Sequence, residues 1–181
     1  MLQIEVPLEP SGWDEEKEMF VEPRVQILQM EHSLVSLSKW ESKWCKPFFS
    51  KSEKTSEEIL DYIKFMTLTD DVPPDVFYKL TSENVQEIRN YIDAPMTATT
   101  FSKEQKQQSS REIVTSELIY YWMVALTIPF ECQYWHINRL LTLIRVCNVK
   151  NQPPKKMGKH DTARRYADLN AARRRQLNSK G

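Results

Sequence analysis

ELIYYWMVALTIPFECQYWHINRLLTLIRVCN, residues 117–148, is the most apolar stretch of this chain, and its reading decides the fold. Its longest nearly unbroken apolar run, Leu118 to Phe130, is 13 residues and contains Thr127 and Pro129. A helix that crosses a bilayer needs about 20, so the stretch is no membrane anchor. Pro129 cannot sit inside a continuous helix without a kink, which predicts two antiparallel helices joined at Ile128–Pro129. Ile137, Leu140, Leu141, Ile144 and Cys147 share one face of the second, while Asn138, Arg139, Thr142 and Arg145 point elsewhere. In the first, Tyr120, Tyr121 and Trp122 are consecutive. At 100° per residue three such rings sweep about 200°, so at least one leaves the core face and enters a second interface.

Toward the N-terminus, KTSEEILDYIKFMTL is the clearest helix: Thr55 and Glu58 form a capping box, and Ile59, Tyr62, Ile63 and Met66 make an apolar face. Ser33 is an N-cap for LVSLSKWESKW, where Leu34, Leu37, Trp40 (or Glu41) and Trp44 recur near helical spacing and end before Pro47. TDDVPPD breaks the chain, and TSENVQEIRNYI gives a further helix on Val85, Ile88 and Ile92. Leu2, Ile4 and Val6 alternate with polar residues, a strand pattern, and RVQILQM after Pro23 is a second strand able to pair with it. Residues 8–22 read as an exposed acidic loop, APMTATTF as a short third strand, and SKEQKQQSS at 102–110 as a flexible loop. The expected fold is α+β and mainly α-helical: a small N-terminal β element on a bundle of about five helices.

The formal charge of zero hides a segregation. Residues 155–181 hold nine Lys/Arg against two Asp, a net +7, and the other 154 residues hold 16 basic and 23 acidic side chains, a net −7. The chain therefore divides into an acidic domain, 1–154, and a basic arm, 155–181. From Asp161 the arm is Ala/Arg-rich with strong helix propensity, yet Tyr166 and Leu169 are its only large apolar residues before Leu177. It is either a solvated helix or a disordered segment that orders on contact. Arg164, Arg165, Arg173, Arg174 and Arg175 suit an acidic partner. A nucleic-acid reading lacks the interleaved aromatics that stack on bases, so an acidic protein surface or a solubilising role comes first.

Chemistry is hard to find. Three glycines and no GxGxxG or GxxxxGK[ST] argue against the common nucleotide sites. The N-terminus has no signal-peptide pattern, and Cys45, Cys132 and Cys147, an odd number, read as reduced and buried thiols. Cys132 and His136 lie four apart, half a metal site at most, where zinc needs three or four ligands. The carboxylates occur as surface runs, Asp14–Glu16, Glu57–Glu58 and Asp70–Asp71. No catalytic, cofactor-binding or metal site is assigned. The aromatic residues Trp40, Trp44, Tyr120, Tyr121, Trp122, Tyr134 and Trp135 are candidates for partner binding, since such residues dominate interface hot spots. For Trp40 and Trp44 the ordinary alternative is core.

The segments EHSLVSLSKWESKWCKPF, KTSEEILDYIKFMT, TSELIYYWMVALTIPFECQYWHINRLLTLIRVCN and LNAARRRQLNSKG resemble a family of tail assembly chaperones encoded by long-tailed bacteriophages of the siphovirus type, over about Arg24 to Gly181. The resemblance implies a non-enzymatic protein of the host bacterial cytoplasm. It implies that many copies coat the helical tape measure protein until tail tube subunits replace them, and that ribosomal frameshifting is able to make a longer version. Exposed apolar faces on such a partner call for an aromatic-rich groove. The segregated charges suit self-association, basic arm to acidic body. Two other classes stay open: a structural virion protein of the connector or tube-completion type, and a nucleic-acid-binding protein using the arm.

Overall fold

The computed structural model describes residues 1–9, 12–14, 19–21, 24–101, 113–151 and 159–177. The fold is α+β. Strand β1 (Leu2–Glu9) runs antiparallel to β4 (Arg24–Met30), with Leu2 opposite Met30 and Ile4 opposite Leu28. The alternation does what period-two patterning dictates: Ile4, Val6, Leu28 and Met30 are buried while Val25 and Ile27 are exposed. The loop expected over 8–22 is more structured than that. β2 (Gly12–Asp14) pairs antiparallel with β3 (Met19–Val21), Trp13 opposite Phe20, a cross-strand aromatic pair of the kind that favours a ladder.

Helix α1 (Leu34–Trp44) starts at Ser33, whose side chain accepts from the Ser36 N–H while the Ser36 hydroxyl accepts from the Ser33 N–H. It is the wall between two apolar clusters. Trp40 faces the first, with Ile4, Leu28, Met30, Tyr62, Met66 and Ile88; Leu34 and Leu37 face the second, with Ile119, Met123, Ile137, Leu140 and Ile144. Helix α2 (Ser56–Met66) opens on the Thr55–Glu58 capping box. The Trp40 indole N–H donates to the Glu58 carbonyl at 2.8 Å, which ties α1 to α2. A 3-10 turn (Pro74–Lys79) carries Val76 and Phe77 into the first cluster. Helix α3 (Ser82–Asp93) follows, capped by Thr81 and Asn84, and the Asn84 amide also donates to the Glu5 carbonyl of β1.

The third strand expected at APMTATTF is not formed. Residues 94–101 carry no ladder; the left-handed φ of 48° at Met96 interrupts the extended run, and among the described residues no strand lies beside it. The 102–110 loop lies outside the described residues. Helix α4 (Ser116–Ala125) and α5 (Ile137–Asn151) are not joined by a tight hairpin at Ile128–Pro129, because a second 3-10 turn (Phe130–Tyr134) stands between them. Pro129 caps that turn, a position where its missing N–H costs nothing.

The chain clusters into two compact units, Met1–Lys150 and Asn151–Gly181. In the second, α6 (Lys159–Leu177) is a helix of 19 residues, and every side chain described in it, 163–177, is exposed. The arm is thus helical in its described part.

Candidate protein-interaction surface

Helix α4 is placed by a buried carboxylate. Glu41, on α1, accepts from the Phe48 N–H and from the Ser116 N–H, both at 2.7 Å. Ser116 is the first residue of α4, so a negative charge meets the orphan N–H groups and positive dipole of the helix N-terminus. The Thr115 hydroxyl caps the same end, accepting from the Leu118 N–H. At the other end Ile128 N–H donates to the Met123 carbonyl and Thr127 N–H to the Val124 carbonyl. That is the Schellman pattern, with Ile128 and Met123 both in the second cluster.

With α4 held so, its three consecutive aromatics diverge. Tyr120 turns toward the 3-10 turn: its hydroxyl donates to Gln133 Oε1 at 3.0 Å, and its ring centroid is 6.5 Å from that of Phe130. Partial burial raises the Tyr120 phenol pKa, and neighbouring Tyr134 adds to the rise. Tyr121 points outward. Tyr121 and Val124 on α4, and Phe130 and Tyr134 on the adjoining turn, are each more than half exposed. Trp122 goes the third way.

Trp122 enters a groove of about 850 Å³ whose apolar lining includes Phe49, Phe101, Ile113 and Leu141. The Arg145 guanidinium lies over the Phe101 ring, 3.8 Å from its centroid. Among the described residues of the lining, Lys51 and Arg145 carry formal charge.

The remaining candidates scatter. Trp40 is a core residue, 1 % exposed, and leaves the expected binding surface because its indole is consumed by the α1–α2 contact. Trp44 is half-buried against the first cluster, with Lys43 over its ring. Trp135 packs partly against the second cluster under the Arg139 guanidinium, 4.2 Å away. Arg164, Arg165, Arg173, Arg174 and Arg175 are exposed on α6, in the other unit. The structure therefore brings Tyr120 beside Phe130 and near Tyr134, and leaves Tyr121 and Val124 exposed on α4. Helical phase could have flagged Val124, three residues after Tyr121; Phe130 and the groove residues Phe49 and Phe101 carry no signal in sequence.

Cys132 and His136 do not form a ligand pair. Cys132 is buried in the second cluster, and burial raises its thiol pKa. His136 donates through Nε2 to the Tyr91 carbonyl at 3.0 Å and accepts at Nδ1 from the Asn138 N–H. Its ring stands edge-on to buried His32, 5.0 Å between centroids, and His32 Nδ1 bonds the Tyr62 hydroxyl. Burial, then the charge that His136 would carry, lowers the His32 pKa from 6.5 to about 3. His136 is lowered too, chiefly by burial. Two neutral imidazoles thus join the clusters, and the backbone follows, Ile137 N–H donating to the His32 carbonyl at 2.7 Å.

Among the described residues no group of three or more His, Cys, Asp or Glu could hold a metal ion, and no helix is long and apolar enough to cross a membrane. Comparison with protein-family models, with curated proteins and with solved structures finds no match.

Proposed function

We propose that this protein is a non-enzymatic tail assembly chaperone of a long-tailed bacteriophage, which binds the tape measure protein in the host cytoplasm and keeps it soluble. The reading starts from the resemblance of the chain and is supported by one observation above others. Exposed Tyr121 and Val124 sit on the anchored helix α4, and exposed Phe130 and Tyr134 on the 3-10 turn that follows it. Apolar groups gathered on a soluble surface mark an interaction site, and tyrosine supplies contact area at low entropic cost. Repeated copies along a long helical partner would make individually weak contacts cooperative.

The charge separation supports multiple copies. A basic α6 from one copy against the acidic unit of the next would favour adjacent binding, and salt would weaken it.

The test is co-expression with the tape measure protein of the same phage, followed by sizing and mass determination of the soluble fraction. A soluble complex with many copies of this chain per tape measure, where the tape measure alone precipitates, is the expected result. A precipitated tape measure beside a free, soluble copy of this protein overturns the reading. Retention of the protein in purified particles would favour a structural virion role instead.

A further inference from the structure

We infer that this protein associates with a second copy of itself by seating one face of α6 from one copy, antiparallel, on the exposed face of α4 of the other. Glu117, Tyr121 and Val124 lie at i, i+4 and i+7 on α4, a single face of a helix, and all three are exposed. On α6, Arg173, Leu169 and Tyr166 repeat the same spacing in reverse, and they too are exposed. At about 1.5 Å of rise per residue the two sets match layer for layer when the helices run antiparallel. Glu117 then meets Arg173, Tyr121 meets Leu169, and Val124 meets Tyr166. A parallel arrangement that sets Tyr121 on Tyr166 and Val124 on Leu169 puts Glu117 against Thr162 and loses the ion pair.

Charge selects the second copy as the occupant. Helix α6 brings six Lys/Arg against two Asp, a net +4, to a body, residues 1–154, whose net charge is −7. The stripe on α4 begins with an anion: hydrogen bonding, first from its own backbone N–H, lowers the Glu117 pKa. The Ser116 hydroxyl donates to this carboxylate at 3.4 Å, which leaves further acceptor positions for a guanidinium. Antiparallel packing also lays the negative C-terminal end of α6 beside the positive N-terminal end of α4. Tyr121 is 64 % and Tyr166 63 % exposed in the same molecule, so each stripe is available to another copy. Three layers make a small contact, and the association is weak and reversible. On the chaperone reading the α4 stripe is also offered to the tape measure, which would displace α6 from it. The proposal rests on that reading for this competition alone; the contact itself rests on spacing and charge.

The experiment is sedimentation equilibrium of the full chain over a concentration series, with no phage partner present. Glu117→Arg and Arg173→Glu should each weaken self-association about tenfold, as an ion pair turned into like charges warrants. An equimolar mixture of the two variants should restore it, because the reversed α4 of one copy then meets the reversed α6 of the other. Arg164→Glu lies about 180° from Arg173 around the helix and changes the net charge equally. It should leave the association within about twofold of wild type. Leu169→Ser should weaken it severalfold with no change of charge. Circular dichroism confirms that each variant is folded. A wild type that stays monomeric throughout, equal losses in the Arg164 and Arg173 variants, or a mixture that associates no better than either variant alone overturns the proposal. Restored association in the mixture, beside a wild type that fails to keep the tape measure soluble, would uphold the contact and remove the chaperone reading. A soluble tape measure complex formed by a protein that is monomeric by itself would do the opposite.

Discussion

The Glu41 carboxylate accepts from the Ser116 N–H at 2.7 Å across 75 residues of sequence, and so fixes the start of the helix that displays Tyr121. Its other oxygen accepts from the Phe48 N–H. Glu41→Ala leaves two N–H groups without their acceptor, and should cost about 3 kcal/mol of stability. Glu41→Gln keeps one carbonyl acceptor and should cost about half as much. Urea denaturation of the two variants checks both values; a loss within error of zero for the alanine variant would show that α4 is held by its apolar face alone.

The His32–His136 contact makes stability depend on pH. His32 has its pKa lowered from 6.5 to about 3, so between those values the unfolded chain binds a proton that the folded one refuses. Stability rises with pH across this window and is lost as pH falls through it. Going from pH 7 to pH 5 should cost about 2 kcal/mol from His32. His136 is shifted the same way and adds to the loss, while Glu31, which accepts from the Tyr91 hydroxyl, favours the charged form of His136 and offsets part of it. Denaturation midpoints measured from pH 7 to pH 5 should fall in wild type and fall less in His32→Gln.

Thr127 holds the left-handed position of the α4 cap with φ 56°. A β-branched residue is strained there, and glycine is the usual occupant. Thr127→Gly should raise stability by about 0.5–1 kcal/mol after the extra freedom of glycine in the unfolded chain is subtracted. A lowered thermal midpoint would mean that the threonine side chain contributes more than its backbone strain costs.

Tyr121 and Tyr134 are exposed and lie outside both apolar clusters. The double variant Tyr121→Ser/Tyr134→Ser should therefore unfold within about 0.5 kcal/mol of wild type. Its yield of soluble tape measure complex in co-expression should drop severalfold, as loss of central aromatic anchors does at other interfaces. Unchanged yield would remove this patch from the binding surface.

The sequence by itself determined the secondary structure wherever a local rule sufficed. Ser33 and Thr55 announced helix starts because capping is an interaction three residues long, and the alternation of Leu2, Ile4 and Val6 announced a half-buried strand for the same local reason. Pro129 announced a break between α4 and α5, although the 3-10 turn that fills it follows no pattern a sequence displays. The threonines of 97–100 favoured a strand, but a strand exists only beside a partner, and none of the described ones lies there. That three adjacent aromatics must diverge followed from helical phase alone. Which of them faced water was decided by Glu41 and by the apolar clusters that take the other faces of α1 and α4, contacts between residues far apart in the chain. Tertiary structure likewise sent Trp40 inward and gathered Phe49, Phe101 and Trp122 around one groove. An aromatic side chain loses the same apolar surface to water in a core as in an interface, so only its neighbours in space distinguish the two.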